Sequence, residues 1–460
     1  MFRNEKILKL SRLNWVKPRS VTYSRYFSTS SNPQVVLPLT GFKVVDLTRD
    51  LAGPYATQIL ADLGAEVIKV EHPTRGDDSR HWGPPFAKSL TDSESRGESA
   101  YFLAVNRYEA TCDQQVSGLQ NKKSLALDFK KKRGQNILKA LIGTSDVVVE
   151  NYLPGTLAKY GLAYEQLKDD KIIYASITGY GQTGPYKNRA GYDLMLEAEM
   201  GLMHITGEAK GAPVRAGVAI TDVTTGLYAA NSIMAAIISR SGTGLGQNID
   251  IAMSDCQVAT LTNVASSCLI SGGPDSGRLG TSHASICPYQ AFATKDGTII
   301  VGAANDRLYG IFCQLLKRDD WIEDERFKTN ALRVENRDIL VPMITEETKK
   351  KTTMARTMSP LMFGEWLSLF EGSGIPYAAV NDIQATLNHP HVLARNMITV
   401  VEHPTCGPVK LVNTPIKFSK AKPSIREAPP TLGQHTDETL MRLGYNRKEI
   451  DILRLEQVVE

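Results

Sequence analysis

Asp222 stands where an apolar run meets a helix-forming stretch, in Pro213-Val-Arg-Ala-Gly217-Val-Ala-Ile-Thr-Asp222-Val-Thr-Thr-Gly226. A carboxylate opening a helix gains from the positive end of the helix dipole and from nearby N–H groups, so it can stay ionised when partly desolvated. In that state it is a nucleophile toward an activated acyl group. The plainer alternative is a helix cap, and this segment by itself leaves both open. A second cluster runs Gly179-Tyr-Gly-Gln-Thr-Gly184-Pro185 and leads to Arg189-Ala190-Gly191-Tyr192-Asp193. Glycines beside a strand end allow close approach of a ligand to the backbone, or simply make a turn. A third, Glu150-Asn151-Tyr152-Leu153-Pro154-Gly155 with Lys159 beyond it, presents an amide and a ring to a groove, or is a solvated loop. No Walker loop, no G-x-G-x-x-G after a strand, no H-E-x-x-H and no G-x-S-x-G elbow occurs. The six cysteines are scattered without a C-x-x-C pair, which argues for reduced thiols and against a disulfide framework or a zinc cage.

These residues need elements to position them. Short apolar runs at 42–47, 66–71, 124–128, 147–150 and 172–178 read as strands, with helix-like stretches at 55–63 and 134–142 between them. Strand, helix, strand at this spacing is a βαβ unit, so the fold class is α/β with an open Rossmann-like parallel sheet, which binds ligands outside the carboxyl ends of its strands. Helical patterns follow at 191–203 and 223–238, the latter apolar enough to be buried, and then a strand at 248–253. Different strand signals at 291–294 and 298–301 open a smaller α+β domain. The expected organisation is a large domain over 38–245, a linker over 246–285, a small domain over 286–385, and a return over 386–460 that ends in helices at 436–443 and 448–458.

A chain of 460 residues with 42% hydrophobic and 22% charged content suits two globular domains. The most apolar stretch, 227–239, is shorter than a bilayer requires. Residues 1–27 hold Arg3, Lys6, Lys9, Arg12, Lys17, Arg19 and Arg25 against the single acid Glu5, with Ser and Thr at the end. That make-up predicts a mitochondrial transit peptide cut before Ser28 and a matrix location; a disordered basic tail is the alternative. Without it, the balance of 53 basic and 49 acidic residues turns slightly acidic, so the formal charge of +4 is no argument for nucleic acid.

Taken in order, L-T-R-D-L-A-G-P (Leu47 to Pro54), G-A-E-V-I-K-V-E (Gly64 to Glu71), E-N-Y-x-P-G (Glu150 to Gly155), G-Y-G-Q-T-G-P (Gly179 to Pro185), R-A-G-Y-D (Arg189 to Asp193), the Asp222 segment, P-Y-Q-A-F-x-T-x-D-G (Pro288 to Gly297) and L-G-Q-H-T (Leu432 to Thr436) resemble the family III CoA-transferases, the formyl-CoA and carnitine CoA-transferase group. The resemblance covers nearly everything after residue 38. It implies an interlocked homodimer and an enzyme with no metal and no prosthetic group. Its substrates would be coenzyme A thioesters and carboxylic acids, with CoA passing from succinyl-CoA to glutarate or a related dicarboxylate. That substrate pair is what the resemblance implies, since G-L-M-H-I-T-G (Gly201 to Gly207) and E-G-S-G-I-P-Y (Glu371 to Tyr377) are similar to the family members that act on it.

By the same resemblance Asp222 is the nucleophile, forming an aspartyl anhydride and then an aspartyl-CoA thioester. The CoA nucleotide would lie against Leu51 and Ala52, against His72, and against Leu127, Asp128, Phe129 and Lys130. The remainder of its site would be Asn151, Tyr152, Leu153, Lys159, Ala190, Gly191, Tyr192 and Asp193. The far carboxylate of a dicarboxylate needs a cation, for which Arg49 and Arg215 are the candidates. Gly277 to Gly280, leading to His283, is the candidate cover that excludes water. Racemases of the family carry His where Tyr192 stands, and an unperturbed Tyr is a poor proton shuttle at neutral pH, which favours transfer over 2-methylacyl-CoA racemisation. Two departures stand out: an insert at 108–120, either a surface loop or unspliced intron sequence, and a Met- and Lys-rich addition at 349–362. The first lies near the expected nucleotide edge, where it could leave a CoA-binding protein without activity.

Overall fold

Six parallel strands form the main sheet of the computed structural model: β1 (Lys43–Asp46), β2 (Glu66–Glu71), β3 (Lys122–Ala126), β4 (Val147–Glu150), β5 (Ile173–Thr178) and β6 (Gln247–Ala252). The structure describes residues 37–460 except 93, 108–121, 168, 354–363, 424 and 426. The leader expected at 1–27, the insert at 108–120 and most of the addition at 349–362 therefore lie outside the described residues.

The sheet order is β3-β2-β1-β4-β5-β6. The chain winds outward from β1 in one direction and from β4 in the other, so the connections diverge between these two strands and leave a crevice at their carboxyl ends. Strands in such a sheet are covered on both faces and read as continuous apolar runs, as Val147-Val-Val does. β3 breaks that rule with Lys122-Lys123-Ser124, all buried, and for that reason its start is not legible as an apolar run.

On one face, α1 (Ala52–Asp62) and α2 (Ile220–Thr243) pack through Ala56, Leu60, Ala229 and Ile233. Gly226 makes their approach possible: a Cβ there would stand 2.8 Å from the Ala52 carbonyl oxygen. On the other face Leu138 and Leu141 meet Leu440 and Leu453, so the C-terminal helices α3 (Thr436–Arg442) and α4 (Arg447–Leu455) return to the first sheet. The Leu432–Thr436 motif makes that return. Thr436 Oγ1 accepts the Ala126 N–H at 3.1 Å, and His435 Nδ1 accepts the Ser124 N–H at 3.2 Å. The free edge of β3 is thereby covered.

A separate antiparallel sheet of three strands, β7 (Tyr289–Ala293), β8 (Thr298–Gly302) and β9 (Tyr377–Ala379), has its own core around Phe292, Phe312, Trp321 and Trp366. A hairpin at Ile398–His403 and Gly407–Val412 follows. Three stretches differ from expectation. The helix carrying Asp222 begins at Ile220 and extends to Thr243. The 191–203 pattern divides into a helix Asp193–Glu199 and a turn Leu202–Ile205. The 246–285 stretch, expected as a linker, holds the expected strand at 248–253 as β6 and then, in place of a plain linker, two helices, Met253–Thr260 and Thr262–Ser271.

Candidate active site

The loops leaving β1 and β4 are tied to one another and to buried charges beneath them. Asp46, at the end of β1, accepts the Thr48 N–H at 2.8 Å and the Thr57 hydroxyl at 2.7 Å, and pairs with Lys122 at 3.2 Å. Lys69, also fully buried, donates to the Thr48 carbonyl at 2.8 Å and pairs with Asp77 at 2.8 Å. Asp77 accepts the Asp50 N–H at 3.2 Å, and Asp50 is held in the left-handed region at φ 69°. From the β4 side Asn151 accepts the Arg49 N–H at 3.0 Å and donates to the Arg49 carbonyl at 2.8 Å. The Arg49 guanidinium lies 4.9 Å from the Tyr152 ring centroid and 3.4 Å from Asp78.

Two cavities open at this crevice, with Arg49 and Tyr152 in the wall of each. The first, about 810 Å³, gathers His72, Leu127, Asp128, Phe129 and Lys130. Arg75, which sequence reasoning missed, joins them. Burial, followed by the charge of Arg75, holds the His72 imidazole below its ordinary range, so at neutral pH the cations on this wall are Arg49, Arg75 and Lys130. Such a surface suits phosphates. The second, about 830 Å³, is lined by Leu51, Ala52, Asn151 and Leu153, by Ala190, Gly191 and Tyr192, and by Asp222. Gly179 and Gly191 form part of its wall, so close that a Cβ on Gly179 would stand 2.9 Å from the Gly191 Cα.

Not every expected residue comes to the crevice. Lys159 is exposed on the short turn Leu157–Tyr160 and lines neither cavity. Arg215 is exposed on the loop before α2 and also lines neither, although its charge acts on Tyr101 and Glu197. The Gly277–Gly280 segment lines neither as well: Arg278 donates to the carbonyls of His204 (2.9 Å) and Gly211 (3.1 Å), and Gly280 N–H to that of Gly207 (2.9 Å). These bonds fasten it to the 204–211 loop.

Asp222 is not the cap of its helix. It is the third residue of α2, whose flanking Ala219 offers no side-chain cap. The capping acceptor is Asp193, whose Oδ1 takes the N–H groups of Thr221 (2.9 Å) and Asp222 (3.2 Å). Thr221 is held further by its hydroxyl bond to Gln257 at 2.6 Å. This leaves the Asp222 carboxyl free for the cavity. The expectation that the helix end keeps it readily ionised is corrected: burial, then the charges of Asp193 and Asp50, push its pKa up to about 7. Asp50 is itself pushed up to about 6, by burial and then by Asp77 and Asp78. Tyr101, a second residue missed in the sequence, feels burial and then the same carboxylates, Asp222 foremost, and is raised to about 12. It therefore presents a protonated hydroxyl in this field. No motif marks Tyr101 or Arg75; both reach the site from the long excursion between β2 and β3.

Among the described residues no helix is long and apolar enough to cross a membrane, and no group of three or more His, Cys, Asp and Glu could hold a metal ion.

A doubly wound α/β fold with a cationic groove beside a half-buried carboxylate has the chemistry that a nucleotide-linked acid requires. The chain belongs to CoA-transferase family III, whose family model matches residues 39–436. It is 45% identical over 428 residues to succinyl-CoA:glutarate CoA-transferase of Homo sapiens, covering 92% of this chain and 90% of that protein. It is 40% identical to succinate--glutarate CoA-transferase of Agrobacterium fabrum, covering 88% of this chain and 96% of that one. The crystal structure of a CAIB/BAIF family protein from Brucella suis superposes with a TM-score of 0.75 at 38% identity, covering 89% of this chain and all of that one. The protein is thus a transferase that moves CoA between an acyl-CoA and a carboxylic acid, with CoA thioesters as substrates.

Proposed function

We propose that the chain is a mitochondrial matrix enzyme, working as a homodimer, that carries CoA from succinyl-CoA to glutarate or a related dicarboxylate, with Asp222 as the covalent carrier. The observation that carries this reading is the Asp222 carboxyl in the wall of the second cavity, with its helix capped by another residue and its pKa close to neutrality. In the ionised form the carboxylate attacks the thioester carbonyl, releasing CoA thiolate and leaving a mixed anhydride of Asp222 and succinate. The thiolate then attacks the aspartyl carbonyl, giving an aspartyl-CoA thioester and free succinate. The acceptor carboxylate attacks that thioester, and the returning thiolate takes the acceptor's acyl group and frees Asp222. In each adduct the Asp222 carboxyl itself carries no charge, so acylation relieves both the cost of burying that charge and its repulsion from Asp193 and Asp50. The surroundings that make the ionised acid costly thus favour the intermediates.

The nucleotide occupies the first cavity, with its phosphates toward Arg75 and Lys130. Arg49, in the wall shared by the two cavities, is the cation for the far carboxylate of the acid. Asp222→Ala should reduce succinyl-CoA:glutarate exchange by more than about a thousandfold while leaving CoA affinity within about threefold, as loss of a covalent carrier requires. Mass spectrometry of the parent protein mixed with succinyl-CoA and hydroxylamine should find a hydroxamate at Asp222. Undiminished exchange in the alanine variant would refute the assignment, and a panel of acceptor acids would decide the dicarboxylate.

A further inference from the structure

A buried acid behind the candidate nucleophile remains without a task in this chemistry. Glu197 lies one helical turn beyond Asp193 on the helix Asp193–Glu199, so the two carboxyls share a face. Glu197 is fully buried. Its Oε2 accepts the Ala216 N–H at 2.9 Å, while its Oε1 is enclosed and receives no hydrogen bond. Asp193 stands within hydrogen-bonding reach of it, and the cation acting on it, Arg215, is exposed. Two ionised carboxylates in such contact would leave the enclosed oxygen facing an acceptor. One proton between them satisfies both. Asp193 already accepts two backbone N–H groups, so the proton belongs to Glu197. Burial above all, and Asp193 with it, raise the Glu197 carboxyl above its ordinary range, against the Ala216 N–H and Arg215, which lower it.

We propose that Glu197 is a positioning residue for CoA transfer: protonated, it donates from Oε1 to Asp193, and through Asp193 it fixes the first turn of α2 and the negative charge that Asp222 faces. The link runs from Glu197 to the Asp193 carboxylate and on to the N–H groups of Thr221 and Asp222. Titratable groups acting on Asp222 are Asp193 and Asp50, with Tyr101 facing all three; those acting on Glu197 are Asp193 and Arg215. A donor to Asp193 disperses its charge and so eases ionisation of Asp222. The inference rests on Asp222 as the reacting carboxylate.

Glu197→Leu removes the donor at similar bulk. Its rate–pH limb should move upward by about one unit, and its rate at pH 7 should fall about fivefold as a result. Glu197→Gln keeps a donor for Asp193 and an acceptor for Ala216, and should return both the limb and the rate to within about twofold of the parent. A packing role alone would lower stability or turnover in the leucine variant without moving the limb, and that result overturns the proposal. So does a glutamine variant that behaves like the leucine variant, because the carboxylate charge would then be what matters. Should the leucine variant not fold, infrared difference spectra decide. Parent minus Glu197→Gln at pH 8 should contain a protonated-carboxyl carbonyl band, and its absence overturns the proposal. That band does not depend on what Asp222 does, so a failure of the nucleophile assignment, read from Asp222→Ala, is distinguished from a failure of this one.

Discussion

At Asp222, burial and two neighbouring carboxylates act together on one titration, and its consequences run in two directions. For catalysis the acid must be ionised, so kcat/KM should rise about tenfold between pH 6 and pH 8 along a limb centred near 7. A pH series of kcat/KM, which reports the titration of the free enzyme, checks this, and a limb near 4 would show that the cluster does not act on the nucleophile. For stability the sign is opposite. The folded pKa of about 7 lies above the ordinary 3.8, so the folded state binds this proton more tightly than the unfolded chain. The associated stability is complete below about pH 4 and is lost as pH rises through 7. Asp222→Asn escapes that loss and should melt higher than the parent at pH 8, the gap closing as pH falls from 7 toward 4 in calorimetry. Asp222 was legible in the sequence as a reactive acid or a cap. Its protonation was not, because Asp50 and Asp193 are distant in the chain and act through space.

Two helices bring their N-terminal ends to the same cavity: α1 through Leu51 and Ala52, α2 through Asp222. The contact that sets their spacing is at Gly226, where a Cβ would press on the Ala52 carbonyl oxygen at 2.8 Å. Gly226→Ala should therefore cost about 1–3 kcal/mol in urea unfolding and should lower kcat more than it raises KM, since it shifts the nucleophile against the loop that faces it. Strands of this sheet were legible because their apolar runs are local. The start of α2 was not: its first turn is capped by Asp193 and braced by Gln257, from two other segments, so the local pattern begins a turn late. The β3 strand was read two residues late for a related reason, since Lys122 and Lys123 look like surface residues until their partners are seen.

Across the whole molecule the site stands on buried charge. Asp46, Lys69, Lys122 and Asp77 lie below the β1 loop, and Lys123 joins Glu66 (3.2 Å) and Glu438 (2.8 Å) where the C-terminal helices meet β3. A buried pair adds little over apolar packing, but breaking one strands its partner. Lys69→Met should cost about 3–5 kcal/mol in chemical denaturation, because Asp77 and Asp46 lose a cation that water cannot replace. It should also raise the KM for the acyl-CoA, because the Thr48 carbonyl and Asp50 are held through Lys69 and Asp77.

What the sequence determined by itself was the succession of strands and helices and the crevice-lining residues that follow strand ends. A residue just beyond a strand is delivered to the edge of the sheet by covalent connection alone. The tertiary structure decided which acid caps the Asp222 helix, how many carboxylates confront it, that Lys159 and Arg215 stay outside the cavities while Arg75 and Tyr101 enter their surroundings, and that Glu197 is sealed from water. Those outcomes depend on distance and on local polarity, which arise only when segments far apart in the chain are packed together.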